Sequence, residues 1–299
     1  MNRLLAMALS AFLVFTVAGF AEIKLAADRG SAVQSINPLR LALRQKQYFS
    51  LPDGTAYTAA EAAFFDLVAG RKPALKTLRA AGLSLHLADG EWSALADHES
   101  DPQGRGLYAY RPDGRDLLIS APHQFRDLRT GDIAGSLFDE LQLGAAAFNT
   151  APRDLPVGND RLSDLGKLES TEFTLFHLVY HAHRPGARIV QLHGFAAEKR
   201  RSASARAVEV IVSNGTRRPD AGTRAIVACL SGAGLKAAIY PDDVGELGGT
   251  TNAVLAALMD AGAPVGTFVH VETSRDLRDR LSVDAALRFV FGSCLSAGP

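Results

Sequence analysis

The chain has 299 residues, 47% of them hydrophobic, which is enough to bury a substantial core in one large domain or one with a small appendage. Its 32 basic and 32 acidic residues cancel, so no net field draws nucleic acid or an anionic membrane, and a polyanionic partner would need a local patch. Two cysteines, Cys229 and Cys294, exclude a cysteine-rich zinc module and a disulfide-dense scaffold.

In chain order, residues 1–21 open with Arg3, run through LLAMALSAFLVFTVAG and end in Gly19-Phe20-Ala21, with small residues where a signal peptidase reads them. The expectation is a signal peptide and a periplasmic or secreted protein. An uncleaved anchor is the alternative, although the apolar run is short for a spanning helix. No second stretch could span a bilayer, so no integral membrane association is expected after cleavage. The two cysteines fit one disulfide in an oxidising compartment, or two buried free thiols.

Residues 22–103 read as an N-terminal extension with helices and a hairpin. Its first part, to residue 57, is polar and weakly periodic. Thr58-Ala59-Ala60-Glu61 has the form of a capping box, and Ala63, Phe64, Leu67 and Val68 continue with helical spacing, which predicts a helix over 58–70. A second helix is expected over 74–81, and residues 83–94 alternate about Asp89-Gly90 as a hairpin does.

Residues 104–299 form the expected α/β domain. Strand-like runs (LYAYRP, DLLISAP, GAAAFN, ARIVQLH, AVEVIVSN, KAAIYP, GTFVHVE) alternate with helical stretches at 133–143, 172–181, 223–230, 251–261 and from about 283. The alternation predicts a mixed, largely parallel central sheet with helices on both faces. Sites in such sheets gather at the carboxyl ends of strands.

Three fragments place chemistry there: APHQFRD ending in Asp127, VQLHGF around His193, and FVHVETSR around Glu272. Imidazole nitrogen and carboxylate oxygen are good zinc donors, and His123 and Asp127, four residues apart after a strand, can share one ion. His193 ends a buried apolar run, and Gly194 beside it permits close backbone approach. Three such ligands leave one zinc position for water, whose proton Glu272 could take. Each residue also has a plainer reading: Asp127 as a helix cap, His123 facing solvent, His193 as hydrogen-bonded structure, and Glu272 paired with Arg275 or Arg278. His177 and His181, four apart on a predicted helix, compete as ligands but lack the acidic residue of the HExxH pattern.

Taken together these segments resemble the zinc carboxypeptidase-like hydrolases, and more closely the branch holding N-formylglutamate amidohydrolases and poly-γ-glutamate hydrolases. The resemblance is carried by Pro122-His123 through Asp127 with Thr130-Gly131, His193-Gly194, the SNGT run at 213–216, the GTTN run at 249–252 and Glu272-Thr273-Ser274-Arg275, over roughly residues 104–295. It implies a zinc enzyme with His123, Asp127 and His193 on the metal and Glu272 promoting attack of water on an amide. The acidic ligand is Asp where Glu is commoner, one residue beyond the usual spacing, which makes Asp132 a nearby substitute. Relatives also bind a substrate carboxylate through Asn and Arg, a role open here to Asn149 and Arg153, with Arg275 as a rival anchor. The implied function is an exported hydrolase of a small peptide or amide substrate that is acidic, γ-glutamyl or cell-wall-derived; the alternative is a noncatalytic peptide- or glycan-binding protein on the same fold. A serine hydrolase is disfavoured because no GxSxG elbow occurs, and Gly245 to Gly249 does not form the GxGxxG of a dinucleotide site.

Overall fold

Helices on both sides of a nine-stranded sheet make up the structure, a computed structural model that describes residues 35–297 apart from 46, 89, 90, 99, 159 and 160. The expected signal peptide at 1–21 and the Asp89-Gly90 turn lie outside the described residues.

The first described helix, α1 (Ile36–Ala42), falls in the stretch read as weakly periodic. It is short, and what holds it is tertiary: Ile36 and Arg40 are buried, and the Ile36 amide donates to Asp139 Oδ2 at 3.1 Å. Helix α2 (Gly54–Val68) begins a turn before the expected capping box. Asp53 is the cap, accepting from the Ala56 amide at 2.8 Å, while the Thr58 hydroxyl donates back to the Gly54 carbonyl. Its buried stripe of Ala56, Ala60, Ala63, Phe64 and Leu67 follows helical spacing. After α3 (Leu75–Ala81), strands β1 (Leu83–Ala88) and β2 (Trp92–Asp97) pair antiparallel and extend the same sheet as the later strands.

Then follow β3 (Leu107–Tyr110), β4 (Arg115–Ala121), α4 (Thr130–Glu140), β5 (Leu143–Phe148), α5 (Glu172–His183), β6 (Arg188–Phe195), α6 (Ala203–Ala207), β7 (Val210–Ser213), α7 (Ala221–Gly232), β8 (Ala237–Ile239), α8 (Ala253–Asp260), β9 (Phe268–Ser274), α9 (Arg275–Val283) and α10 (Ala285–Leu295). The expected final helix is thus two, broken at Asp284, whose side chain caps α10 by accepting from the Leu287 amide.

The strand order is β1-β2-β3-β5-β4-β6-β9-β7-β8. The centre, β5-β4-β6-β9, is parallel; β1-β2-β3-β5 and β9-β7 pair antiparallel, and β7-β8 parallel. Alternation along each strand divides the core. Leu117 and Ile119, Val190 and Leu192, and Val269 and Val271 face a cluster with α4, α7, α9 and α10; Leu118, Ile189 and Phe268 face another with α2, α5 and α8. Full burial of each such side chain contributes about 1.5–3 kcal/mol.

This topology locates the site. Chain order runs from β4 to β5 on one side of it, then crosses to β6 on the other, with α4 and α5 covering opposite faces. A crevice opens at the carboxyl end of β4 where the winding direction reverses. Cys229 of α7 and Cys294 of α10 form a disulfide, which resolves the two readings of the cysteines. Among the described residues, no helix is long and apolar enough to cross a membrane.

Candidate metal centre

The chain leaves β4 through Pro122 into a turn in which the Asp127 amide donates to the His123 carbonyl at 2.8 Å. That closure sets His123 and Asp127 on one side of the turn. His193 ends β6, and parallel register pairs it with Glu272 on β9, so both project from the same face one strand apart. Gly194 shows why no side chain follows His193: a Cβ there would collide with the Arg278 guanidinium. The Gly194 amide donates to Asp127 Oδ2 at 3.1 Å.

Three donor atoms converge. His123 Nδ1 and His193 Nδ1 are 3.2 Å apart, and Asp127 Oδ2 lies 3.6 Å from each. A tetrahedral zinc with ligand bonds of 2.0–2.1 Å has ligand-to-ligand edges of about 3.3–3.4 Å, so this triangle fits one face of such a site. Among the described residues, these three form a group whose ligand atoms lie close enough together that they could hold a metal ion. The residues behind it suit the role. His123 Nε2 lies 2.7 Å from Asp164 Oδ1, and His193 Nε2 lies 3.3 Å from Gln191 Oε1, the outer partners that orient ligating imidazoles.

Electrostatics follow from the packing. Burial pushes the Asp127 carboxyl up, but hydrogen bonds and charge from His123 and His193 outweigh it and hold the group well below the usual carboxylate range. Burial lowers His123, and Asp127 and Asp164 more than reverse this, leaving it raised. His193 is brought down to about 4, by burial first and then by His270. His270 stacks on it with ring centroids 4.3 Å apart and places Nε2 3.3 Å from Glu272 Oε1. Glu272 Oε2 is buried without a partner.

The remaining expected residues divide. Arg153 reaches in, its guanidinium donating to His123 Nδ1 at 3.0 Å. Arg275 is exposed at the start of α9 and lines the same cleft of about 710 Å³ as the three donors and Glu272. Asn149 is used internally: its oxygen accepts from the Gln124 amide and its nitrogen donates to the Ala151 carbonyl. Asp132 pairs with Arg40, away from the donor triangle. His177 is fully buried, its Nδ1–H donating to the Phe173 carbonyl at 2.6 Å and its Nε2 accepting from Ser120, and burial lowers it to about 4.

The sequence reading gave no role to Asp164, Gln191 or His270, and it included Asn252 only as the end of the GTTN run. A signal existed for two of them: Gln191 stands two before His193 and His270 two before Glu272, polar residues repeating on one sheet face at strand ends. The glycine-rich run explains itself by contact. Gly249, with φ +63°, packs so closely on His270 that a Cβ would fall 2.7 Å from the ring. Arg278 of α9, buried, donates to the Leu128, Phe195 and Thr273 carbonyls.

No protein-family model matches the chain, and neither does any curated protein. Among solved structures, the chain is similar to an N-formylglutamate amidohydrolase from Ralstonia eutropha, at 11% identity over 72% of this chain and 96% of that one, with a TM-score of 0.39. It is similar to a provisionally assigned carboxypeptidase A from Shewanella denitrificans, at 13% identity over 77% of this chain and 65% of that one, TM-score 0.36. A provisionally assigned metallopeptidase from the same organism is similar at 14% identity over 79% of this chain and 88% of that one, TM-score 0.30. Likenesses this distant carry no argument for an activity of this chain, and the chemistry of the centre rests on its own geometry.

Proposed function

We propose that this protein is an exported metal-dependent hydrolase that cleaves an amide or peptide bond in a small acidic substrate, γ-glutamyl or cell-wall-derived, with zinc as its ion. The observation that carries the proposal is the donor triangle, with edges of 3.2, 3.6 and 3.6 Å, beside a buried carboxylate. Three converging acceptors with a carboxylate among them call for a cation. His123, Asp127 and His193 would hold the ion, which when bound supplies a Lewis acid for an amide carbonyl and for water.

The chain's own residues supply the rest. Glu272 is the base: its unpartnered Oε2 takes a proton from water and delivers it to the leaving nitrogen. Arg153 and Arg275, on the cleft wall, would meet a substrate carboxylate through paired hydrogen bonds, which favours an acidic ligand. The apolar run at the start of the chain and the Cys229–Cys294 disulfide support export to an oxidising compartment.

Elemental analysis of protein purified without a histidine tag tests the centre. About one zinc per chain is expected, lost in His123→Ala. Glu272→Gln should keep the metal and lose about 10²- to 10⁴-fold in turnover of a γ-glutamyl amide or acidic peptide. Wild-type protein that takes up no metal after incubation with zinc would overturn the proposal.

A further inference from the structure

A ligating histidine must offer a bare nitrogen to the ion, so something has to hold its hydrogen on the other nitrogen. For His123 the device is plain: Asp164 accepts from Nε2–H while Arg153, a pure donor, points at Nδ1. For His193 the neighbour is Gln191, whose carboxamide could present either an oxygen or an NH₂ group. Which one it presents decides whether His193 can bind metal through Nδ1.

The answer begins at a helix end. Asn252 is the N-cap of α8, and its Oδ1 accepts from the Val254 amide at 2.9 Å and the Leu255 amide at 3.4 Å. With the oxygen arm committed to the cap, the arm facing Gln191 is Nδ2, a donor, 2.7 Å from Gln191 Oε1. A donor requires an acceptor opposite, so Gln191 turns its oxygen toward Asn252. The same oxygen lies 3.3 Å from His193 Nε2, which must then carry the hydrogen. A neutral imidazole has one N–H, so Nδ1 is left bare, and Nδ1 is the atom in the donor triangle. All three side chains are buried, with exposures of 0% for Gln191, 4% for His193 and 6% for Asn252, so no solvent rescues a wrong orientation. The arrangement even leaves Gln191 Nε2 buried without a partner. The opposite orientation would set two NH₂ groups against each other.

We propose that Asn252 and Gln191 are positioning residues that set the tautomer of His193, so that the N-cap of α8 dictates which imidazole nitrogen faces the ion. The inference rests on the metal reading of the centre. Asn252→Asp isolates it, since aspartate caps a helix as well as asparagine but cannot donate to Gln191. Gln191 then turns its NH₂ arm toward the new carboxylate and toward His193 Nε2, moving the hydrogen to Nδ1.

The test is ¹H–¹⁵N imidazole NMR on the full chain, stripped of metal at neutral pH, beside a zinc competition titration. Wild type should show His193 as Nε2–H; Asn252→Asp should show Nδ1–H and a zinc Kd raised about 10- to 100-fold. Gln191→Glu, an acceptor in either orientation, should keep Nε2–H and keep zinc. Should Asn252→Asp not fold, Gln191→Met takes its place, with a mixed tautomer expected at His193. Retention of pure Nε2–H in Asn252→Asp or in Gln191→Met, or Nδ1–H in wild type, would overturn the inference. A wild type that shows the expected tautomer yet binds no zinc would instead sink the metal reading alone.

Discussion

Reduction of the Cys229–Cys294 bridge should cost this fold about 4 kcal/mol. The bond joins α7 to α10 across a sequence separation of 65, with the two Cα atoms 5.5 Å apart. In the chain-entropy account, a loop of that length removes roughly 14–15 cal/mol/K from the unfolded ensemble, or about 4 kcal/mol at 25 °C. Against a total stability of about 5–15 kcal/mol that is a large fraction. The assay is urea unfolding of the oxidised protein beside the same protein reduced, which changes the bond and no side chain. The midpoint should fall strongly, and the reduced form should show the steeper slope because its unfolded state is less compact. Thiol titration of the denatured, oxidised chain should find none. Two free thiols, or coincident unfolding curves, would refute both the pairing and the reasoning.

Asp164→Asn replaces the carboxylate behind His123 with a neutral carboxamide. The oxygen can still accept from the Gly166 amide, now at 3.0 Å, so the fold should hold while zinc affinity drops about 10- to 100-fold in a chelator competition. His177 gives a pH prediction. It is buried neutral, with its value down at about 4 against an ordinary 6.5. As pH falls below 6.5 the unfolded chain takes up this proton and the folded chain does not, so wild type loses about 1.4 kcal/mol per pH unit until near pH 4. His177→Phe lacks that loss. Relative to wild type the variant should therefore gain about 3 kcal/mol between pH 7.5 and 4, read by urea titrations across the range, and a gap that stays constant with pH would refute the assignment.

Much of this architecture was legible because burial alternates along the strands. The runs around Leu118, Val190 and Val269 are apolar on both faces, as parallel strands covered on both sides must be, and they became the centre of the sheet. Helix α1 was not legible, since a seven-residue helix carries little periodic signal and is held by contacts such as Ile36 with Asp139, 103 residues away. Helix α2 starts before the expected position because Thr58 and Glu61 imitate a cap that Asp53, about one turn earlier, provides. At the centre, the converging residues end strands or follow them, which spacing can reveal. Asp164 lies in a loop and reaches His123 across 41 residues, and Asn252 reaches Gln191 across 61. Partners of that kind leave no local pattern.

Arg278 works as a brace behind the centre. Its guanidinium ties the carbonyls of Leu128, Phe195 and Thr273, which lie just beyond Asp127, His193 and Glu272 on three separate stretches of chain. Three stretches of chain are thereby joined through one buried planar group. The spacing of Asp127, His193 and Glu272 therefore depends in part on a single cross-tie placed behind them.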